Sequence, residues 1–173
     1  MNVVLKNNYI SESEYLAISD ECSERLELIN GEIYAMSGGS GEHNTITMNL
    51  SGLLWSFLKG KSCRAFSENM RVKVSDDNIF YPDVLVDCNY DPNNPLFAGS
   101  PVLIIEVLSP STADYDRGTK FNMYRQIASL EEYVIIEQKK MNVKIYRRIN
   151  NWKPTHYRKG DDVEFQSIGL TEY

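Results

Sequence analysis

No stretch of this chain is apolar for long enough to span a bilayer as a helix. Its apolar runs stop far short of the roughly 18 residues a crossing needs, and the N-terminus lacks the pattern of a secretory leader. A cytoplasmic protein with no membrane partner is expected. Cysteine is scarce: Cys22, Cys63 and Cys88 are odd in number and no two are spaced Cys-x-x-Cys. That excludes a zinc ribbon or a thioredoxin-like redox motif, and packed thiols in a reducing compartment are expected rather than disulfides. The glycine-rich stretch 38–41 precedes a helix but lacks the Gly-Lys-Ser/Thr ending of a nucleotide P-loop, so it reads as a connection. There is no internal repeat, low-complexity tract or interdomain linker, and no recognition element with a readable base code.

The 173 residues, 42% hydrophobic and 24% charged, suit one domain spanning 1–173 with a core of its own. The net charge of −6 argues against nucleic acid as a partner, but only weakly, because the charge is unevenly spread. Residues 11–32 hold seven acids and the single base Arg25, whereas residues 139–160 hold eight bases and no acid. The pattern predicts either a local basic face on an acidic body or a solvated hairpin carrying lysines.

Periodicity gives the order of elements. Residues 11–20 read as a short amphipathic helix. Asn30-Gly31 joins two alternating runs, and because both turn positions require φ > 0 this is the strongest short hairpin signal a sequence offers. Ile46, Leu50, Leu53, Leu54, Phe57 and Leu58 lie on one stripe of a helix. Strands follow at 63–66 and 70–74, then around Asp83 and Glu106. A helix from 112 to about 128, with Ser111 and Asp114 at capping-box spacing, is followed by strands at 132–137 and 142–149 and a weaker pair near 152–158 and 163–165.

Two acids interrupt what should be apolar strands. Asp83 lies in Phe80-Tyr81-Pro82-Asp83-Val84-Leu85-Val86, and Glu106 in Val102-Leu103-Ile104-Ile105-Glu106-Val107-Leu108. A buried carboxylate is almost always paired or bound to a cation, because its desolvation costs several kcal/mol. Two of them on neighbouring strands suggest a divalent-metal site, with the Val107 carbonyl as a third oxygen ligand. Metal-assisted phosphodiester cleavage also needs a cation near the water or scissile phosphate. On a strand that lysine belongs two residues after Glu106, where Leu108 stands. Lys120 can replace it from the following helix. Glu106 lies about 10 Å before the strand end and Lys120 about 12 Å into the helix, so an antiparallel return brings them level. The alternative for Lys120 is a surface pair with Asp116 at i, i+4.

The runs Leu26-Glu27-Leu28-Ile29-Asn30-Gly31-Glu32-Ile33, Tyr81-Pro82-Asp83-Val84-Leu85-Val86, Ile105-Glu106-Val107-Leu108-Ser109-Pro110-Ser111-Thr112 and Asp116-Arg117-Gly118-Thr119-Lys120 resemble the Uma-two family of the PD-(D/E)xK restriction-endonuclease-like superfamily. The resemblance covers about residues 10–149. It implies an α/β fold with an α-β-β-β-α-β core, a mixed sheet flanked by helices, plus an added N-terminal hairpin and C-terminal strands. It implies that Asp83 and Glu106 are metal ligands, that the catalytic lysine has moved to the helix as Lys120, and, by analogy, a homodimer.

The function this implies is hydrolysis of DNA phosphodiester bonds by a Mg²⁺- (or Mn²⁺-) dependent endonuclease. The alternative, which Leu108 and the acidic net charge favour, is a nuclease-like scaffold that binds nucleic acid or protein without cutting. His43, at the start of the long helix, matches a histidine of the family and either touches the site's edge or is structural. Glu27 lies in the family's hairpin motif and reads either as an accessory carboxylate or, better, as a solvent-facing strand residue. Lys144, Tyr146 and Arg148 share one face of a strand; the two bases either follow a phosphate backbone or protect an exposed edge.

Overall fold

The chain changes sheets at Tyr81-Pro82-Asp83, and that switch organises the molecule. A computed structural model describes residues 2–5, 9–36 and 38–172, with side chains from residue 9 onward. The first sheet contains β1 (Asn2–Leu5), β2 (Leu26–Ile29), β3 (Glu32–Ala35), β5 (Arg71–Ser75), β6 (Asn78–Phe80) and β8 (Phe97–Ala98), in the order β1-β3-β2-β6-β5-β8. The central sheet contains β4 (Arg64–Ser67), β7 (Val84–Asp87), β9 (Pro101–Leu108), β10 (Glu132–Glu137), β11 (Asn142–Arg147) and β12 (Pro154–Arg158), in the order β12-β11-β10-β9-β7-β4. A hairpin of β13 (Val163–Phe165) and β14 (Leu170–Glu172) completes the strands. The expected mixed sheet is the central one, and the added N-terminal hairpin β2–β3 belongs to the first sheet. The segment 70–74 joins the first sheet because β5 pairs with β6 and β8.

Three helical segments flank the sheets: α1 (Glu12–Glu21), α2 (Gly41–Leu58) and α3, residues 113–124. Leu54 and Leu58 of α2 pack with Val84, Val86, Leu103, Ile105, Val134 and Ile145 on one face of the central sheet. Tyr124 of α3 packs with Leu85, Ile104, Leu108, Tyr133 and Ile135 on the other, together with Val72 and Phe80 from the first sheet. The alternation of side chains along β9 thus sends Leu103, Ile105 and Val107 towards α2, and Ile104, Glu106 and Leu108 towards α3. In this frame α2, β4, β7, β9, α3 and β10 form the α-β-β-β-α-β core, with β10 parallel to β9 and β7 antiparallel to it.

Local chemistry sets the ends of these elements. Asn30 (φ 51°) and Gly31 (φ 76°) make the β2–β3 turn, as the dipeptide requires. Ser11 and Glu14 form a capping box on α1, and the Ser40 hydroxyl accepts from the His43 N–H at the start of α2. The capping box expected at Ser111 and Asp114 does not form. The Ser109 hydroxyl accepts from the Thr112 N–H instead, and Thr112 donates to Asp116. α3 comprises Ala113–Tyr115, a π-helical turn Asp116–Lys120, and Phe121–Tyr124. It stops short of the expected Ala128 because the Arg148 guanidinium takes the carbonyls of Arg125, Ile127 and Leu130, closing the chain into turns.

Cys63 and Cys88 form a disulfide, against the expectation of free thiols. The antiparallel pair Arg64↔Asp87 places them opposite each other, one step outside the β4–β7 ladder, a proximity that their separation in sequence conceals. Cys22 is a free, exposed thiol. Among the described residues no helix is long and apolar enough to cross a membrane.

Candidate active site

Asp83 is not inside a strand, as its apolar neighbours suggest, but immediately before one. Pro82 has no N–H to give a ladder and restricts Tyr81 to extended backbone, so the chain crosses between sheets here. The Tyr81 N–H donates to Glu27 Oε1 at 3.0 Å, which anchors the crossing. Val84 pairs with Ile105 in the antiparallel β7–β9 ladder, so one further step sets Asp83 opposite Glu106. The Val107 N–H donates to Asp83 Oδ2 at 2.7 Å, locking that opposition.

Glu106 is buried, and α3 covers it. Lys120 Nζ lies 3.1 Å from Glu106 Oε1, 3.2 Å from Glu27 Oε1 and 3.8 Å from Asp116 Oδ1. The Tyr124 hydroxyl, one helical turn further on, donates to Glu106 Oε1 at 3.1 Å. The i, i+4 pair of Lys120 with Asp116 is real, but it is not a surface pair, since the Lys120 side chain is 5% exposed. Leu108, in the usual lysine position, is a core residue packed on the α3 side.

The same cleft takes in two accessory residues. Glu27 is fully buried, which overturns its reading as a solvent-facing residue: all four residues of β2 are enclosed, and its Oε2 has no partner. His43 Nε2 lies 3.1 Å from Asp83 Oδ2. A Cβ on Gly39 would stand 2.8 Å from the His43 ring, so the glycine lets the loop close over the imidazole. The cleft has a volume of about 210 Å³ and is walled also by Glu68, Ser109 and Gln138.

Charge in this cluster is unbalanced. Glu27, Asp83, Glu106 and Asp116 face one ammonium and one imidazole. Burial pushes the Glu106 carboxyl well above the usual carboxylate range; Lys120 pulls it down, and Asp83, Asp116 and Glu27 push it further up. Burial raises Asp116 in the same way. Burial works against the Lys120 ammonium, but Glu106, Glu27 and Asp116 outweigh it and hold Lys120 well above its ordinary value. The hydrogen bond to Asp83 raises His43. With all four acids ionised the cluster would carry more negative charge than its own cations neutralise, and the raised Glu106 and Asp116 carboxyls answer that excess by holding protons more readily.

Among the described residues no three His, Cys, Asp or Glu side chains form a ready-made metal cage. The donors nevertheless fit Mg²⁺, which is commonly bound through one or two carboxylates with other oxygens completing its shell. Among the described residues, Asp83 accepts hydrogen bonds through Oδ2 and Glu106 through Oε1, which leaves Asp83 Oδ1 and Glu106 Oε2 without a donor. Both residues line the cleft, as does Val107.

Lys144 and Arg148 lie outside this cleft. Arg148 sits in a 3₁₀ turn after β11 and spends its guanidinium on the carbonyls that end α3, so it does not continue the Lys144 face. Tyr146 is partly buried, with its ring tilted against Phe121 at the edge of the core. Asp116, Tyr124 and Glu68 are site residues that strand patterning does not reveal. The spacing of Asp116 and Tyr124, four residues either side of Lys120, was the available signal for two of them.

Proteins of Synechocystis sp. named slr1290 and sll1609 are each 35% identical, over 166 and 172 residues, covering 94% and 96% of this chain and 87% and 97% of their own lengths. A crystal structure described as a putative nuclease belonging to DUF820, from Anabaena variabilis ATCC 29413, superposes with a TM-score of 0.76 at 22% identity over 94% of both chains, and so shares the fold. The profile of the family described as "Uma2: Putative restriction endonuclease" matches residues 12–170. The chain belongs to that Uma2 family of putative restriction endonucleases.

Proposed function

We propose that the protein is a divalent-metal-dependent endonuclease that hydrolyses DNA phosphodiester bonds. The observation that carries this reading is the opposition of Asp83 and Glu106 in one cleft, each with an oxygen unused by the protein, beside a buried lysine ammonium. Family membership and the shared nuclease fold support the same chemistry.

Asp83, Glu106 and the Val107 carbonyl would hold Mg²⁺ or Mn²⁺. Such an ion supplies Lewis acidity towards a phosphoryl oxygen and lowers the pKa of bound water. Lys120 remains an ammonium at neutral pH, so it acts as a fixed positive charge towards the phosphate rather than as a proton acceptor. Glu27 and Tyr124 position that charge: Glu27 braces the ammonium, and Tyr124 fixes the Glu106 oxygen that Lys120 shares. His43 holds Asp83 from the cleft's rim.

Two assays test the reading. Isothermal titration with Mn²⁺ should give a heat of binding in the wild type that Asp83→Asn and Glu106→Gln abolish. Plasmid nicking with Mn²⁺ should follow the same order. Binding of DNA without cleavage in any divalent metal would favour the alternative of a non-cutting nuclease-like scaffold.

A further inference from the structure

The register of the central sheet carries Glu106 to a second, basic surface. Glu106 pairs with Ile135, Ile135 with Lys144, and Lys144 with His156. Paired residues project to the same side of a sheet, so Lys144 and His156 lie on the face that carries Glu106. With strands about 4.8 Å apart, Lys144 stands about 10 Å and His156 about 14 Å from Glu106 along this row. Two residues along the strands, Asn142 pairs with Arg158 on the same face. At the tips of the hairpins lie Lys140 and Lys159, which line one open concavity with Lys144, His156 and Arg158.

Ile135, in the middle of this row, is buried beneath α3, so the exposed route from the cleft to the basic residues rounds the helix. A shallow groove shares Ser109, Pro110 and Gln138 with the catalytic cleft and extends to Arg117 and Lys139, next to Lys140. Its one acid on β10, Glu137, is already met by Arg117 at 3.7 Å and by the Asn142 amide at 2.9 Å. Among the described residues, Lys140, Lys144, Arg158 and Lys159 form no ion pair, unlike Arg147 on the opposite face of β11, which is buried against Glu132. Unneutralised cations clustered on a protein of net charge −6 call for a polyanion.

We infer that the β11–β12 hairpin is a phosphate track, on which Lys140, Lys144, Arg158 and Lys159 bind the phosphodiester backbone of the nucleic acid whose cleaved bond lies at Glu106. This rests on the nuclease reading for its direction, but binding can be measured apart from cleavage. The route rounds α3, so it is longer than the straight separation of about 14 Å from Glu106 to His156, which alone equals about four nucleotides at about 3.4 Å each along a duplex strand. The track reads no sequence, because its contacts are charges alone.

The test is fluorescence anisotropy with a labelled 20-base-pair duplex and the matching single strand, in EDTA, from 50 to 200 mM KCl. The variants are Lys144→Gln/Arg158→Gln and, should that pair fail to fold by circular dichroism, Lys140→Gln/Lys159→Gln at the exposed tips. Each lost phosphate contact should flatten the slope of log affinity against log salt by about 0.9, so either double variant should lose about two from the slope and roughly tenfold or more in affinity at 50 mM salt. Loss on the duplex, the single strand or both supports the track and tells which form it takes.

Unchanged binding by the variants overturns it, as does failure of the wild type to bind either probe. Unchanged affinity with increased aggregation would show instead that the charges guard the edge strand β12. Parallel nicking assays with Mn²⁺ separate the two claims. Binding that depends on the track without cleavage keeps the track and removes the nuclease; cleavage with variants that bind as wild type does the reverse.

Discussion

Lys120 Nζ and Glu27 Oε1 stand 3.2 Å apart with neither side chain in solvent, joining the far end of α3 to the N-terminal hairpin. That contact ties three separate parts of the chain to one charge, since the same ammonium also lies on Glu106. It makes the centre of the site a matter of stability as well as chemistry.

Removing the ammonium should therefore cost folding energy. Lys120→Ala leaves Glu106, Glu27 and Asp116 buried without their cation, and breaking a buried pair from one side typically costs about 3–5 kcal/mol. Urea denaturation should show that loss. Mn²⁺ at a hundred times its dissociation constant should restore about 2.7 kcal/mol, because a bound ion supplies the missing positive charge and stabilises the folded state by mass action. Cleavage should remain impaired even when the metal has restored the fold.

Neutralising an acid should act in the opposite sense. Asp83→Asn and Glu106→Gln each remove an ionisable acid from a cluster with more acids than cations, so differential scanning calorimetry should find their melting temperatures equal to or above the wild type in EDTA. Plasmid cleavage should fall by roughly two orders of magnitude or more in either variant, the scale on which loss of an electrostatic catalytic group is felt.

The pH dependence follows from two raised groups. His43 gains a partner in Asp83, so its contribution is complete below its unfolded pKa of about 6.5 and is lost as pH rises through the higher folded value. Urea titrations at pH 5.5 and 8.5 should show that His43→Gln narrows the difference between the two conditions. Glu106 must lose its proton to hold a metal, so Mn²⁺ affinity should rise with pH and binding should release protons, visible as buffer-dependent heats.

A second buried ion pair tests the architecture away from the cleft. Glu132 accepts from Arg147 Nε at 2.7 Å, from the Ser167 N–H at 2.9 Å and from the Gln166 N–H at 3.2 Å, while Arg147 also donates to the Tyr157 hydroxyl at 3.0 Å. This clamp fastens the segment after β13 to the central sheet. Glu132→Ala should destabilise the protein by about 3–5 kcal/mol and open residues 159–168 to limited proteolysis, with metal binding retained in the folded fraction.

Local chemistry was written plainly in the sequence. Asn30-Gly31 could only turn, the stripe from Ile46 to Leu58 could only bury one helical face, and the two acids in apolar runs pointed to the candidate cleft because an unpaired buried carboxylate is too costly to be accidental. Family resemblance and core topology were legible for the same reason: they depend on short runs whose pattern is local. What the tertiary structure alone decided depends on which segments meet. Glu27 reads as exposed until the whole of β2 is enclosed, and Cys63 and Cys88 read as separate thiols until β4 and β7 pair. Residues 70–74 read only as a strand, and pairing with β6 and β8 is what assigns them to the first sheet. Lys144 and Glu106 fall into one row, while Arg148 is drawn away to close α3. Strand register and helix docking set these relations. Both arise from long-range packing, to which the periodicity of any one segment is blind.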